Sequence, residues 1–215
     1  MIEVTYKNHM GDDLEVCDAA RVSFAKEASN YTLEQNHKLL RYLAREKHFS
    51  PFGHVYAKFH VKAPLFVARQ LVKHKFLRWS EISRRYVDTP PEFYTPETWR
   101  KRAPNVKQGS SADTVDFGIL PCSGKLPHEY AYEEAHDTYD RLLGIGVCPE
   151  QARMVLPQSM MTEWVWSGSL DALANMAVLR LDSHTQYESR LVADQIHEKM
   201  RELFPVSWEA LVGHE

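Results

Sequence analysis

Cysteine is scarce: three residues in 215 (Cys17, Cys122 and Cys148), odd in number and with no CxxC pair. That excludes a disulfide framework and a cysteine-built zinc site and leaves three reduced thiols. Glycine (9) and proline (11) are also few, which excludes collagen-like and low-complexity chains. No stretch approaches the roughly 18 uninterrupted apolar residues of a membrane span. The opening MIEVTYKNHMGDDLEV is too charged for a signal peptide, so a cytoplasmic protein with no membrane partner is expected. An excess of one charge is missing too. The 26 Lys and Arg against 29 Asp and Glu leave a net charge of -3, so any anion site must be local. There is no internal repeat and no HExxH. His54 and His60 lie six residues apart, about 20 Å along an extended chain, and His128 and His136 are two helical turns apart. The 11 histidines therefore offer no metal set. What remains is 44% hydrophobic and 26% charged, a composition able to bury a core. The length suits one domain over 1–215, since folded units run at roughly 100 to 200 residues.

Periodicity divides the chain. Residues 12–24 carry Leu14, Ala19 and Val22 at helical spacing. Thr32 with Gln35 resembles a capping box opening a helix that turns Leu33, Leu40 and Leu43 toward the core and ends near Lys47. Residues 54–62 alternate strictly, with Val55, Ala57, Phe59 and Val61 on one face, which predicts a strand. Ala63-Pro64 stops it and opens a helix from Leu65 to about Lys75. Residues 87–126 hold most of the prolines and little periodicity, and are expected as a long irregular loop. Helical spacing returns at Ala131, Ala135, Thr138, Tyr139 and Leu142, with Gly144 as a C-cap. Pro149 opens a short helix that Pro157 stops. Ser169 and Asp171 start another, and Ser183 with Gln186 suggests a second capping box, giving two helices or one kinked helix over 170–203. The expected class is α+β, helix-rich, with a small antiparallel sheet.

Chemistry concentrates between residues 69 and 85, where six cations (Arg69, Lys73, Lys75, Arg78, Arg84 and Arg85) face one acid, Glu81. On a helix from Leu65, residues Gln70, Lys73 and His74 share a face and can converge on a phosphate. A solvated basic face explains the charge equally well. So does a nucleic-acid-binding module using Phe76, Trp79 and Tyr86 as stacking platforms, although no RNP, KH or helix-turn-helix pattern is present. A metal-dependent nucleotide hydrolase is disfavoured by the missing ligand spacing.

The order of residues from Lys73 to Tyr86, KHKFLRWSEISRRY, resembles the signature RHRxxSxNExSxRY of the flavin-dependent thymidylate synthases, the ThyX family. His74, Glu81, Ser83, Arg85 and Tyr86 match; Lys73 and Lys75 replace both arginines, and Arg78 and Ser80 replace the serine and asparagine. SPFGHVYAKFHVKAPLFVARQ, QARMVLP and NMAVLRLDSHTQYE also resemble the family, so the similarity runs from about Arg21 through Phe204.

The resemblance implies reductive methylation of dUMP to dTMP, with methylenetetrahydrofolate giving the carbon and FAD reduced by NADPH giving the hydride. It implies a homotetramer with active sites where subunits meet, and no nucleic-acid partner. By the same resemblance Ser50, Lys73, His74, Lys75, Glu81, Ser169, Asp171 and Asn175 contact FAD. Gln70, Lys73, Glu81, Ile82, Ser83, Arg84, Arg85, Arg153 and Arg180 contact the nucleotide. Arg180 takes the position associated with activating the uracil ring, and Ser83 is the second catalytic candidate. Each has an ordinary explanation as well. Ser50 precedes a proline and suits a turn, Ser169 and Asp171 suit a helix cap, and Arg153 and Arg180 suit snorkelling surface positions. Ser83 as a nucleophile would need a base that the sequence does not identify, so a hydrogen-bonding role is favoured.

Overall fold

The computed structural model describes residues 1–104 and 109–213. Its strands are β1 (Glu3–Met10), β2 (Tyr56–Pro64), β3 (Arg78–Glu81), β4 (Trp99–Arg102), β5 (Ser110–Val115) and β6 (Met161–Ser169). Four form an antiparallel sheet in the order β1-β2-β6-β3, and β4 and β5 pair as a separate hairpin. The helices are α1 (Asp13–Arg21), α2 (Leu33–Arg45), α3 (Leu65–Leu71), α4 (Pro127–Gly144), α5 (Pro149–Ala152), α6 (Leu170–Leu181), α7 (Tyr187–Leu203) and α8 (Pro205–Val212). The class is α+β with a small antiparallel sheet, as expected. Among the described residues no helix is long and apolar enough to cross a membrane.

The alternation read in β2 holds. Ala57, Phe59, Val61 and Ala63 are buried, while Lys58, His60 and Lys62 face outward, where His60 contacts Glu163 at 3.2 Å and Lys62 pairs with Glu92 at 2.6 Å. Its neighbour β6, with Trp164 and Trp166 buried opposite Val61 and Phe59, alternates in the same way. One face of the sheet is thus core and the other polar. The core continues through Val16, Leu40, Phe52, Leu173, Met176, Ile196 and Trp208 as one apolar cluster.

Local signals explain most helix ends. The Thr32 and Gln35 capping box forms in both directions at 3.3 and 2.9 Å. Asp12 caps α1, and the Asp13 carboxylate accepts the backbone N–H groups of Val206 and Ser207 at 2.9 and 3.0 Å, capping α8. Several expectations need correction. In α1 the buried residues are Val16, Cys17 and Arg21, not Leu14 and Val22, and Leu33 on α2 is 62% exposed. The left-handed residue after α4 is Gly146 (φ 90°), not Gly144, because the α4 carbonyls of Leu142 and Leu143 are met by the N–H groups of Val147 and Gly146. Ser183 and Gln186 form no capping box, although α6 and α7 are two separate helices, one of the two arrangements expected.

Two features position the site. First, α3 stops at Leu71, about one turn short of Lys75, and the chain turns back into β3 through Phe76, which adopts φ 66°. The turn crosses Gly168 of β6 so closely that a Cβ there would collide with the Leu77 side chain and sit 3.3 Å from the Phe76 carbonyl. Second, residues 87–126 are not irregular throughout. The β4–β5 hairpin lies inside them, and aromatic contacts fasten the segment to α4: Trp99 of β4 lies 5.3 Å from His128, and Phe93, ahead of β4, stacks on Tyr132 at 5.0 Å.

Candidate active site

The basic segment is split between two places by its own strand. Across β3 the backbone advances about 10 Å, with Trp79 stacked on Trp164 at 4.4 Å as the anchor. One end therefore lies beside α6 and the other beside α5.

At the first end lies a groove of about 820 Å³ lined by Gln70, Lys73, Asn175 and Arg180, with Arg100 and Tyr187 on its wall. Gln70, Lys73 and His74 do not share one helical face as the sequence suggested, because α3 has already ended. Instead Arg180 Nε–H donates to His74 Nε2 at 2.9 Å, and Arg180 Nη2 donates to the Gln70 carbonyl at 3.5 Å. Arginine can only donate, so His74 Nε2 is the accepting nitrogen and the proton sits on Nδ1. Burial first, and then the neighbouring Arg180 charge, pushes the His74 pKa down to about 4. His74 is thus a neutral acceptor that aligns Arg180, not a cation for phosphate. Burial also lowers the pKa of Arg180 itself.

Lys73, Lys75 and Arg78 are exposed, and among the described residues no carboxylate pairs with them. Ser169 is buried at the N-cap of α6, yet its side chain makes no capping bond, and Asp171 Oδ1 is buried without a partner. Capping alone therefore does not account for either residue. Asn175 lies on the exposed side of α6 with Val178 and Leu179. Ser50 opens a 3₁₀ turn, Ser50–His54, that packs against α6 and β6. Ser50, Ser169 and Asp171 line neither groove.

At the second end a groove of about 730 Å³ gathers Glu81, Ile82, Ser83, Arg84 and Arg153. Glu81 accepts from Thr162 Oγ1 at 2.8 Å and from Trp79 Nε1 at 3.0 Å. Ile82 N–H extends the sheet by donating to the Glu163 carbonyl at 2.9 Å, and the chain then turns at Ser83, whose carbonyl accepts from Tyr86 N–H at 3.0 Å. Arg84 donates to the Thr89 and Pro90 carbonyls, Arg85 pairs with Glu150 at 3.0 Å, and Arg153 Nε donates to the Glu150 carbonyl at 3.3 Å. Ser83 Oγ accepts from Arg85 N–H at 3.3 Å, and among the described residues no histidine or carboxylate is hydrogen-bonded to it. This suits binding and not nucleophilic attack. The two grooves share no residue.

Residues 6–206 match the family model described as thymidylate synthase complementing protein. The chain belongs to this family. It is 41% identical over 207 residues to a flavin-dependent thymidylate synthase of Thermus thermophilus, covering 96% of this chain and 74% of that one. With the Kosmotoga olearia enzyme of the same name it shares 40% over 204 residues, covering 95% and 87%. Among solved structures, the UMP/dUMP methylase PolB from Streptomyces cacaoi bound with 5-Br dUMP superimposes with a TM-score of 0.85 at 32% identity, covering 99% of this chain and 95% of that one.

Arg100, Gln186 and Tyr187 also line the first groove and Glu188 braces them, although the sequence suggested no site role for any of the four. The last three close the block NMAVLRLDSHTQYE and are legible as a polar cluster opening a helix. Arg100 carried no signal, because the hairpin bearing it has no periodicity long enough to read.

Proposed function

We propose that the protein is a flavin-dependent thymidylate synthase that methylates dUMP reductively to dTMP. The observation that carries this reading is Arg180, held between the neutral His74 and the Gln70 carbonyl at the wall of a cationic groove. Carbon 5 of uracil becomes a better nucleophile when negative charge on ring nitrogen 3 and its neighbouring carbonyl oxygen is stabilised. A fixed guanidinium supplies that stabilisation without having to reorganise. Ser83, with Glu81, Ile82, Arg84, Arg85 and Arg153, serves the nucleotide's sugar and phosphate. Gln70 and Lys73 serve it from the other groove.

The unpaired cations Lys73, Lys75 and Arg78 fit the pyrophosphate of FAD. The Ser169 hydroxyl, which makes no capping bond, the unpartnered Asp171 oxygen, Asn175, Ser50, His74 and Glu81 supply further polar contacts. FAD when bound supplies the hydride, with NADPH as reductant and methylenetetrahydrofolate as carbon donor. The nucleotide set is divided between grooves with no common residue, and Phe76, Val178 and Leu179 are 80%, 54% and 56% exposed beside one of them. Both features support a homotetramer in which one copy's first groove meets another copy's second. We place the enzyme in the cytoplasm, where its nucleotide and folate substrates occur, with no nucleic-acid or membrane partner. The nucleic-acid-binding alternative loses its central platform, since Trp79 is spent on Trp164.

Expression in a thymidine-auxotrophic strain lacking its own synthase tests the proposal. Growth without thymidine is expected, and failure of well-expressed, flavin-loaded protein to support it overturns the reading.

A further inference from the structure

Glu188, the second residue of α7, is a carboxylate only 4% exposed. A first-turn acid is favoured by the helix dipole, but that needs no burial, and a buried carboxylate is costly unless both oxygens are satisfied. Here they are satisfied from two directions. Oε1 accepts from Arg100 Nη2 at 2.7 Å and Oε2 accepts from Gln186 Nε2 at 3.2 Å.

The second bond sets a direction. A carboxylate only accepts, so Gln186 must turn its amide nitrogen toward Glu188 and its carbonyl oxygen away. That oxygen accepts from Gln70 Nε2. The other end of the Gln70 amide, Oε1, accepts from the hydroxyl of the fully buried Ser189 at 3.0 Å. Gln70 is thereby fixed in one of its two amide orientations, with one Nε2 hydrogen uncommitted on a residue that lines the groove. Its main-chain carbonyl meanwhile holds Arg180. The first bond ties in the hairpin. Arg100 also donates to Ser110 Oγ on β5 at 2.8 Å and lies 4.7 Å over the Tyr187 ring.

We propose that Glu188 is a positioning residue for the pyrimidine nucleotide. It acts through Gln186 to present the free Gln70 N–H to an acceptor oxygen of the ligand, and its bond to Arg100 holds the groove wall in place. This inference rests on the reading of the groove as a dUMP site. Replacing the carboxylate by an amide of the same shape, Glu188→Gln, keeps the packing but lets the hydrogen-bond chain through Gln186 to Gln70 run in either sense.

The test is dUMP binding by calorimetry, together with dUMP KM and kcat, on the flavin-loaded holoenzyme. Glu188→Gln is expected to weaken dUMP binding and raise KM by about 10-fold or more, the scale of a hydrogen bond to a charged group, with a smaller change in kcat. Glu188→Asp, which keeps the acceptor-only end, should recover part of the loss. In a Gln70→Ala background the same Glu188→Gln change should add less than about 3-fold, since residues acting through one another are not additive. Gln186→Leu, which leaves the Glu188–Arg100 pair intact, should weaken dUMP about as much, and it serves as the test if Glu188→Gln does not fold. dUMP binding by Glu188→Gln or Gln186→Leu within about 2-fold of wild type, or an undiminished effect in the Gln70→Ala background, overturns the inference. Failure of the wild-type holoenzyme to bind dUMP at all overturns the proposed function and this inference with it.

Discussion

Replacement of Arg180 should separate catalysis from folding. Its guanidinium has five N–H donors. Two are spent, on His74 Nε2 at 2.9 Å and the Gln70 carbonyl at 3.5 Å, and the others remain for a ligand. The spent pair fixes the plane of the group before any substrate arrives, and this preorganisation is what makes such a donor effective. Arg180→Ala should therefore lower turnover at saturating dUMP by roughly 100- to 1,000-fold, the usual cost of removing one preorganised donor to a developing anion. It also leaves His74 Nε2 without its donor, which should cost about 1–3 kcal/mol of stability. Arg180→Lys keeps the charge but cannot serve His74, Gln70 and the ring with a fixed planar fork, so only partial recovery is expected. The assay is dTMP formation by chromatography, with flavin absorbance and thermal unfolding recorded on the same samples. Near wild-type turnover in a folded, flavin-retaining Arg180→Ala enzyme would refute the reasoning. Ser83→Ala should keep more activity than Arg180→Ala and act chiefly on KM; equal loss of turnover would give Ser83 a larger part.

Three other outcomes are expected. With a His74 pKa of about 4 in the folded chain against 6.5 ordinarily, the unfolded chain takes up the proton first as pH falls. The His74 contribution to stability should be level above about pH 6.5, decline down to about pH 4 and then level off, by on the order of 2 kcal/mol after allowance for residual solvent access. A His74 resonance titrating near 6.5, or a His74→Gln variant with an unchanged slope, would contradict this. Lys73→Arg with Lys75→Arg should tighten FAD binding several-fold in fluorescence titration, since arginine adds a bidentate fork where an ammonium offers a point charge; unchanged or weaker binding would show the lysines suffice. Gly168→Ala should cost about 1–3 kcal/mol by forcing Leu77 and the Phe76 turn away from β6, and an unchanged melting temperature would show that the turn yields freely.

Legibility in the sequence followed the length of each pattern. Residues 54–62 could be read as a strand because nine residues alternate without interruption, and α2 because its capping box is local. By contrast β3 is only four residues long, is mostly charged or polar, and pairs with β6 some 85 positions further on, so no local signal announces it. The strand β6 itself, MTEWVWSGS, ends in small residues that blur its alternation between two helical stretches, and β1 and α8 at the ends of the chain carry no comparable signal. Missing β3 also misplaced three side chains. A helix drawn through to Lys75 puts Gln70, Lys73 and His74 on one face, whereas the turn at Phe76 instead aims His74 at Arg180 on α6. The block pattern singled out His74 and Arg180 separately, but their partnership and the brace from Glu188 to Arg100 join positions 106 and 88 apart. Such pairings are products of the fold and cannot be read from neighbouring residues.

The most direct measurement is product formation by the purified protein itself. Protein loaded with FAD should be given dUMP, methylenetetrahydrofolate and NADPH, and dTMP followed by chromatography. The expected result is dTMP formation that needs all three additions and the bound flavin, and that is abolished or nearly so in Arg180→Ala. Absence of dTMP from folded, flavin-loaded wild-type protein would contradict it.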